Sequence, residues 1–151
     1  MFLKMQGVTG EAGDTDHKGE IEVVSWSWGM QANTSLATGQ ATARSTLSEL
    51  HIVKRVDQSS PTLMNFLRAN KVVSQAQLTV RKAGKTPLEY FRIELENVRV
   101  TSIKAESESA ELVEHVNLGF SKVKVSYIPQ DSLGARGGGT NVFEADAHAG
   151  S

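Results

Sequence analysis

Both tryptophans of this chain stand two positions apart, in the stretch Lys18-Gly19-Glu20-Ile21-Glu22-Val23-Val24-Ser25-Trp26-Ser27-Trp28-Gly29. Successive side chains of a β-strand point to opposite faces, so Val24, Trp26 and Trp28 share one face. Ile21, Val23, Ser25 and Ser27 then share the other. Burying a tryptophan removes roughly 150–250 Å² from water, on the order of 4–6 kcal/mol at about 25 cal/mol per Å². In a chain that is only 6% aromatic, such a pair belongs in the core. Trp26 and Trp28, with Phe66 and Phe120, are the expected aromatic core anchors. The opposite face ends in two serines and is expected to meet solvent or a polar lumen. One dry face and one wet face is the pattern of a barrel or sandwich strand.

At 151 residues the chain is long enough for one domain with a self-sufficient core. The net charge of −1, with no dominant basic cluster, argues against a nucleic-acid binder. With no cysteine, disulfides, thiolate metal sites and cysteine nucleophiles are excluded. No apolar run approaches the roughly 20 residues that span a membrane as a helix. The opening Met1-Phe2-Leu3-Lys4-Met5-Gln6-Gly7 is too short and too mixed to read as a secretory signal. The expectation is a chain made in the cytoplasm which, if exported, leaves without a Sec-type signal.

Residues 2–6 alternate weakly as a short first strand, and residues 7–18 carry turn chemistry. After the tryptophan strand, residues 31–44 are rich in Ala, Ser, Thr, Gly and Gln, with Leu36 alone among large apolar residues. Such a segment cannot bury enough apolar surface to fold by itself. It reads as an extended loop over 33–45, either a surface excursion or an arm that orders against a neighbouring subunit. Residues 46–56 alternate again, with Leu50, Ile52 and, in phase, Lys54 on one face. Leu47, His51, Val53 and Arg55 occupy the other. Ser60 before Pro61 reads as a helix start. Leu63, Met64, Phe66 and Leu67 follow at helical spacing, predicting an amphipathic helix of about ten residues that lids the barrel. Residues 74–82 form a strand with Ala76, Leu78 and Val80 on one face, and residues 90–102 a longer one with Phe91, Ile93 and Leu95. Residues 105–111 read as an acidic loop. Residues 112–128 read as a last long strand whose phase slips at Ser121-Lys122, predicting a β-bulge or sharp coil. The tail from 134 to 151 is expected to be flexible or ordered only in an assembly. The pattern predicts a mainly β protein: a small closed β-barrel with one short flanking α-helix.

Catalytic and metal motifs are missing. Gly84-Lys85-Thr86 resembles the end of a phosphate loop, but Thr79 stands where that loop needs glycine. His17, His51, His115 and His148 lack the short spacings of a zinc site. Glu106, Glu108, Glu111 and Glu114 form an acidic run that reads as a solvated loop. There is no Gly-x-Ser-x-Gly elbow. No catalytic residue, metal ligand or cofactor is expected.

An ordered set of short motifs resembles one family, the haemolysin-coregulated proteins (Hcp) of type VI secretion systems. The set begins with His17, Ile21-Glu22-Val23 and Ser25-Trp26-Ser27-Trp28-Gly29. It continues through Asp57 with Ser60-Pro61-Thr62-Leu63, then Arg81-Lys82-Ala83-Gly84 and Glu89-Tyr90. It closes with Glu114-His115-Val116-Asn117-Leu118-Gly119-Phe120-Ser121-Lys122-Val123 and Tyr127-Ile128-Pro129-Gln130-Asp131. Gly119 stands where the family more usually has asparagine, a departure not expected to change the fold. The resemblance spans about residues 2–139.

It implies a phage-tail-tube-like barrel of two packed sheets over residues 1–133. It also implies homohexameric rings that stack into an inner tube, with a VgrG-type spike at the tip and a contractile sheath outside. The tube is expelled through the type VI system and carries or chaperones effectors in its lumen. On that reading Ser25 and Ser27 face the lumen. The arm, with Thr34, Ser35, Leu36, Thr38, Gly39 and Gln40, meets the next subunit or ring. No nucleic acid, inserted membrane or enzymatic activity enters. The competing reading is a monomeric β-barrel that binds a small apolar ligand in its interior, in a pocket lined by the two tryptophans.

Overall fold

The structure, a computed structural model, describes residues 1–34, 41–82, 88–130 and 137–147. Its strands are β1 (Phe2–Met5), β2 (Ile21–Ser27), β3 (Met30–Thr34), β4 (Ala41–Leu47), β5 (Leu50–Arg55), β6 (Val73–Arg81), β7 (Glu89–Glu108), β8 (Glu111–Gly119), β9 (Lys122–Tyr127) and β10 (Asn141–Asp146). The helix α1 (Ser59–Arg68) lies between β5 and β6.

Six strands close the barrel in the order β7-β6-β1-β2-β5-β8, with β8 pairing back onto β7. Two strands turn the corners between its two sheets. β2 pairs with β1 through Ile21 and Glu22, then with β5 through Val23 to Ser27, with a register shift between Val23 and Ser25. The 20-residue β7 pairs through its first half with β6 and β9 and through its second with β8. Laid straight it would run roughly 65 Å, too long for a small domain, so it must bend. Asn97, with φ 52, and a register shift between Val100 and Ser102 mark the bend.

The bulge in β2 corrects the face assignment of the tryptophan stretch. One extra residue at Val24 resets the alternation. Ile21 and Val23 are therefore buried on the same side as Trp26, while Val24 is 44% exposed. The core itself is aliphatic: Leu3, Ile21, Leu50, Ile52, Leu63, Leu78, Ile93, Leu95 and Leu118 all lie at 1% exposure or less. Trp26, Trp28, Phe66 and Phe120 are half-buried and pack against this cluster from its margin. Trp26 stacks on Phe91 at 5.4 Å between centroids.

Four further stretches differ from the expected layout. Much of the segment read as a loop is strand: β3 and β4 pair antiparallel from Met30↔Leu47 to Thr34↔Ala41. Chain reversal at Ser48-Glu49 separates β4 from β5, so residues 46–56 are not one strand. The acidic residues up to Glu108 continue β7, and Ser109 (φ 50) and Ala110 (φ 65) make a two-residue hairpin turn into β8. The tail supplies β10, paired with β9 from Asn141↔Tyr127 to Asp146↔Lys122. The phase slip at Ser121-Lys122 is a strand break between β8 and β9, opposite the bend in β7.

The helix has its predicted length but a different start. Ser59 is its first residue, and its N–H donates to Asp57 Oδ1 at 2.8 Å. Asp57, rather than Ser60, supplies the side-chain oxygen for the helix start. Gly119 leaves room that a Cβ would fill only at 3.1 Å from the Glu49 carboxylate and the Thr101 methyl.

Candidate functional site

Strand register assembles one polar surface. Directly opposed residues of an antiparallel pair share a face. Ser27 lies opposite His51, His51 opposite Asn117, and Asn117 opposite Ser102. The next row reads Ser25, Val53, His115 and Lys104. The outward face of β2, β5, β8 and the second half of β7 therefore carries two rows in which Val53 is the one apolar member. Ser25 and Ser27 are exposed on it. His51 Nδ1 lies 2.6 Å from Asn117 Oδ1, and His115 Nδ1 lies 3.2 Å from His51 Nε2. Register thus brings together two histidines whose sequence separation gave no sign of a pair.

Beneath this face is a buried charge cluster. Lys54 and Glu114 both have 0% exposure, and Lys54 Nζ donates to Glu114 Oε1 at 2.7 Å. Lys54 Nζ also donates to Ser60 Oγ at 3.0 Å and lies 3.2 Å from Asp57 Oδ1. Ser60 Oγ in turn donates to Glu114 Oε1 at 2.9 Å. The cluster ties the first turn of α1 to β5 and β8. Half of it is visible in the sequence, because Lys54 is in phase with Leu50 and Ile52. Glu114 closes a run of acidic residues in the sequence, although it is in phase with Val116 and Leu118.

A second cluster pins the loop before β2. Buried His17 stacks on Phe2 at 4.5 Å, with Nδ1 2.9 Å from Glu20 and Nε2 2.6 Å from Glu89. Burial pushes its pKa down, but hydrogen bonds and charge from the two carboxylates outweigh this and raise it. Arg81 makes a two-pronged pair with Asp14, which lowers the Asp14 pKa to about 2. Backbone bonds from Gly10 N–H to Gly19 O and from Ala12 N–H to Glu20 O complete the anchorage. A Cβ on Gly10 would meet Glu20 O at 2.5 Å, so the close approach requires glycine.

The third feature is the β3–β4 hairpin, which pairs with no other strand among the described residues. Its base is closed by Ser48 N–H donating to Gly29 O and Gly29 N–H donating to Ser48 Oγ. Of the expected arm contacts, Thr34 lies in β3, while Ser35, Leu36, Thr38, Gly39 and Gln40 lie outside the described residues, as do Gly84-Lys85-Thr86 and His148.

Residues 2–127 match the family model described as type VI secretion system effector, Hcp. The chain belongs to the Hcp family. It is 39% identical over 144 residues to protein hcp1 of Pseudomonas aeruginosa, covering 92% of this chain and 89% of that protein. The structure of Hcp1 from Salmonella typhimurium superposes with a TM-score of 0.80 at 31% identity, over 99% of this chain and 95% of that one. A structure titled a type six secretion system protein reaches a TM-score of 0.90 at 21% identity, over 99% and 96% of the two chains, a likeness of fold alone. Membership makes the chain a secreted type VI protein of a ring-forming tube family, and not an enzyme. Among the described residues, no helix is long and apolar enough to cross a membrane.

Proposed function

We propose that six copies of the chain close into a ring and that rings stack into the inner tube of a type VI machine. A VgrG-type spike caps the tube, and a contractile sheath surrounds it and expels it. The chain leaves the cell by this route. The observation that carries the reading is the polar outer face of β2, β5, β8 and β7. A ring needs a wet face toward its lumen, and a sheet whose outer face carries two ordered, mostly polar rows supplies one. In this reading Ser25 and Ser27 face the lumen and contact secreted effectors, and the β3–β4 hairpin reaches the adjacent ring or subunit. The ligand-binding alternative is disfavoured by the aliphatic side chains that fill the barrel interior.

Ser27→Arg tests the lumen assignment, since exposed Ser27 tolerates a larger side chain without loss of core packing. Ring mass is expected to be unchanged, while a co-expressed effector is no longer retained in pull-down. Retention equal to that of the unaltered protein contradicts the assignment.

A further inference from the structure

An aromatic strip runs from the margin of the core to the edge of one sheet. Trp26 stacks on Phe91 of β7, Phe91 lies directly opposite Tyr127 of β9, and Phe143 of β10 sits diagonally beside Tyr127. Phe91, Tyr127 and Phe143 share the face of fully buried Ile93, because Phe143 opposes Val125 and Val125 opposes Ile93. The inner end of the strip packs against the core, whereas Tyr127 and Phe143 at its outer end are 44% and 39% exposed.

Topology explains why the strip runs out into water. The six strands that close the barrel do not include β9 and β10, which extend the sheet past β7. Near the bend, Val123 and Ala145 of this extension still cover the core. Toward Tyr127 and Phe143 the same face has passed beyond it. Among the described residues β10 pairs with β9 alone, so its other side is an open strand edge. The opposite end of the same sheet is β2, and it has the same two features. From Val24 onward β2 pairs with β5 alone among the described residues, and the bulge leaves Val24 exposed with no residue opposite it.

We infer that these two ends meet between copies: Tyr127 and Phe143 of one chain close over the β2 rim at Val24 of the next. The inference rests on the ring reading above and names its lateral contact. Each end offers apolar side chains beside an unpaired strand edge, so each supplies the cover that the other lacks. A contact between two different ends of one chain is heterologous, and repeated by rotation it closes a ring. The rows of Ser25 and Ser27 stay on the outer face of the neighbouring strands and take no part in it.

The test uses the full chain and reads mass by light scattering. Phe143→Glu and Val24→Glu are each expected to convert the six-chain species to a monomer with unchanged circular dichroism. Val142→Glu, on the opposite face of β10, is expected to keep the full mass. The chain has no cysteine, so introduced thiols can be linked selectively. With a bismaleimide linker, Val24→Cys/Phe143→Cys is expected to give a ladder of up to six chains on a denaturing gel, and either single variant no ladder. A Phe143→Glu protein that keeps the six-chain mass overturns the inference and leaves the ring reading intact. Efficient dimers from Phe143→Cys alone overturn it too, since strip would then face strip. An unaltered chain that is itself monomeric overturns both readings.

Discussion

Lys54 carries an ammonium with no exposed surface, and its partner Glu114 is equally enclosed. Removing one member of such a pair strands the other charge in the core, at about 3–5 kcal/mol, whereas replacing both with apolar residues can be nearly neutral. Lys54→Met, which leaves Glu114 with the Ser60 hydroxyl and no cation, is therefore expected to lower unfolding stability by about 3–5 kcal/mol in urea melts, and Lys54→Met/Glu114→Leu to recover most of the loss. A single variant within about 1 kcal/mol of the unaltered protein contradicts this role for the cluster. The loop before β2 has its own pH signature. His17 has a raised folded pKa, so its contribution is present below the ordinary value of 6.5 and is lost as pH rises through the raised one. Asp14 is lowered from 3.8 to about 2, so its contribution is present above the ordinary value and is lost as pH falls between the two. Amide exchange in residues 10–20 should be slowest, after correction for intrinsic rates, between these limits. His17→Gln should remove the alkaline limb, and an alkaline limb unchanged in that variant would sink the assignment. At this scale the sequence shows phase but not neighbours: Lys54 can be read as inward-facing, but the His51–His115 contact bridges 64 positions and exists only through register.

Elements were legible where they bury an apolar face. β5, β6, β7 and α1 show the expected periodicity because one side of each meets the core. The β3–β4 hairpin gives no such signal. Among the described residues its strands pair with each other and not with the barrel, so no apolar alternation is required of them. Periodicity reports burial rather than strand structure as such. The same reason hides β10, an edge strand with Val142 52% and Phe143 39% exposed. The bulge at Val24 defeats alternation differently: one residue out of phase made Ile21 and Val23 look outward-facing. Because the hairpin is closed at its base by Gly29 and Ser48, deletion of residues 34–43 with a short glycine link is expected to leave the barrel's thermal midpoint within about 4 °C, equivalent to under about 1 kcal/mol. Tube length in negative-stain micrographs is expected to fall sharply. Tubes of unaltered length contradict the arm assignment.

For the whole molecule, closure of the barrel depends on two strands that each serve both sheets, β2 bending at Val24 and β7 between Asn97 and Ser102. That closure leaves one sheet with a polar outer face and sets a hairpin apart from the barrel. The near-zero net charge of −1 lets identical copies approach without strong mutual repulsion. Fold class was readable from the strand count, the single helix and the turn chemistry, and the ordered motifs pointed to the Hcp family. Stoichiometry lies outside what one chain displays, because ring closure is set by surfaces that meet only in the assembly. The most direct test of the central claim is the mass in solution, by light scattering after size exclusion near neutral pH. The account predicts one species near six times 16.3 kDa. A clean monomer that persists at high concentration would contradict it.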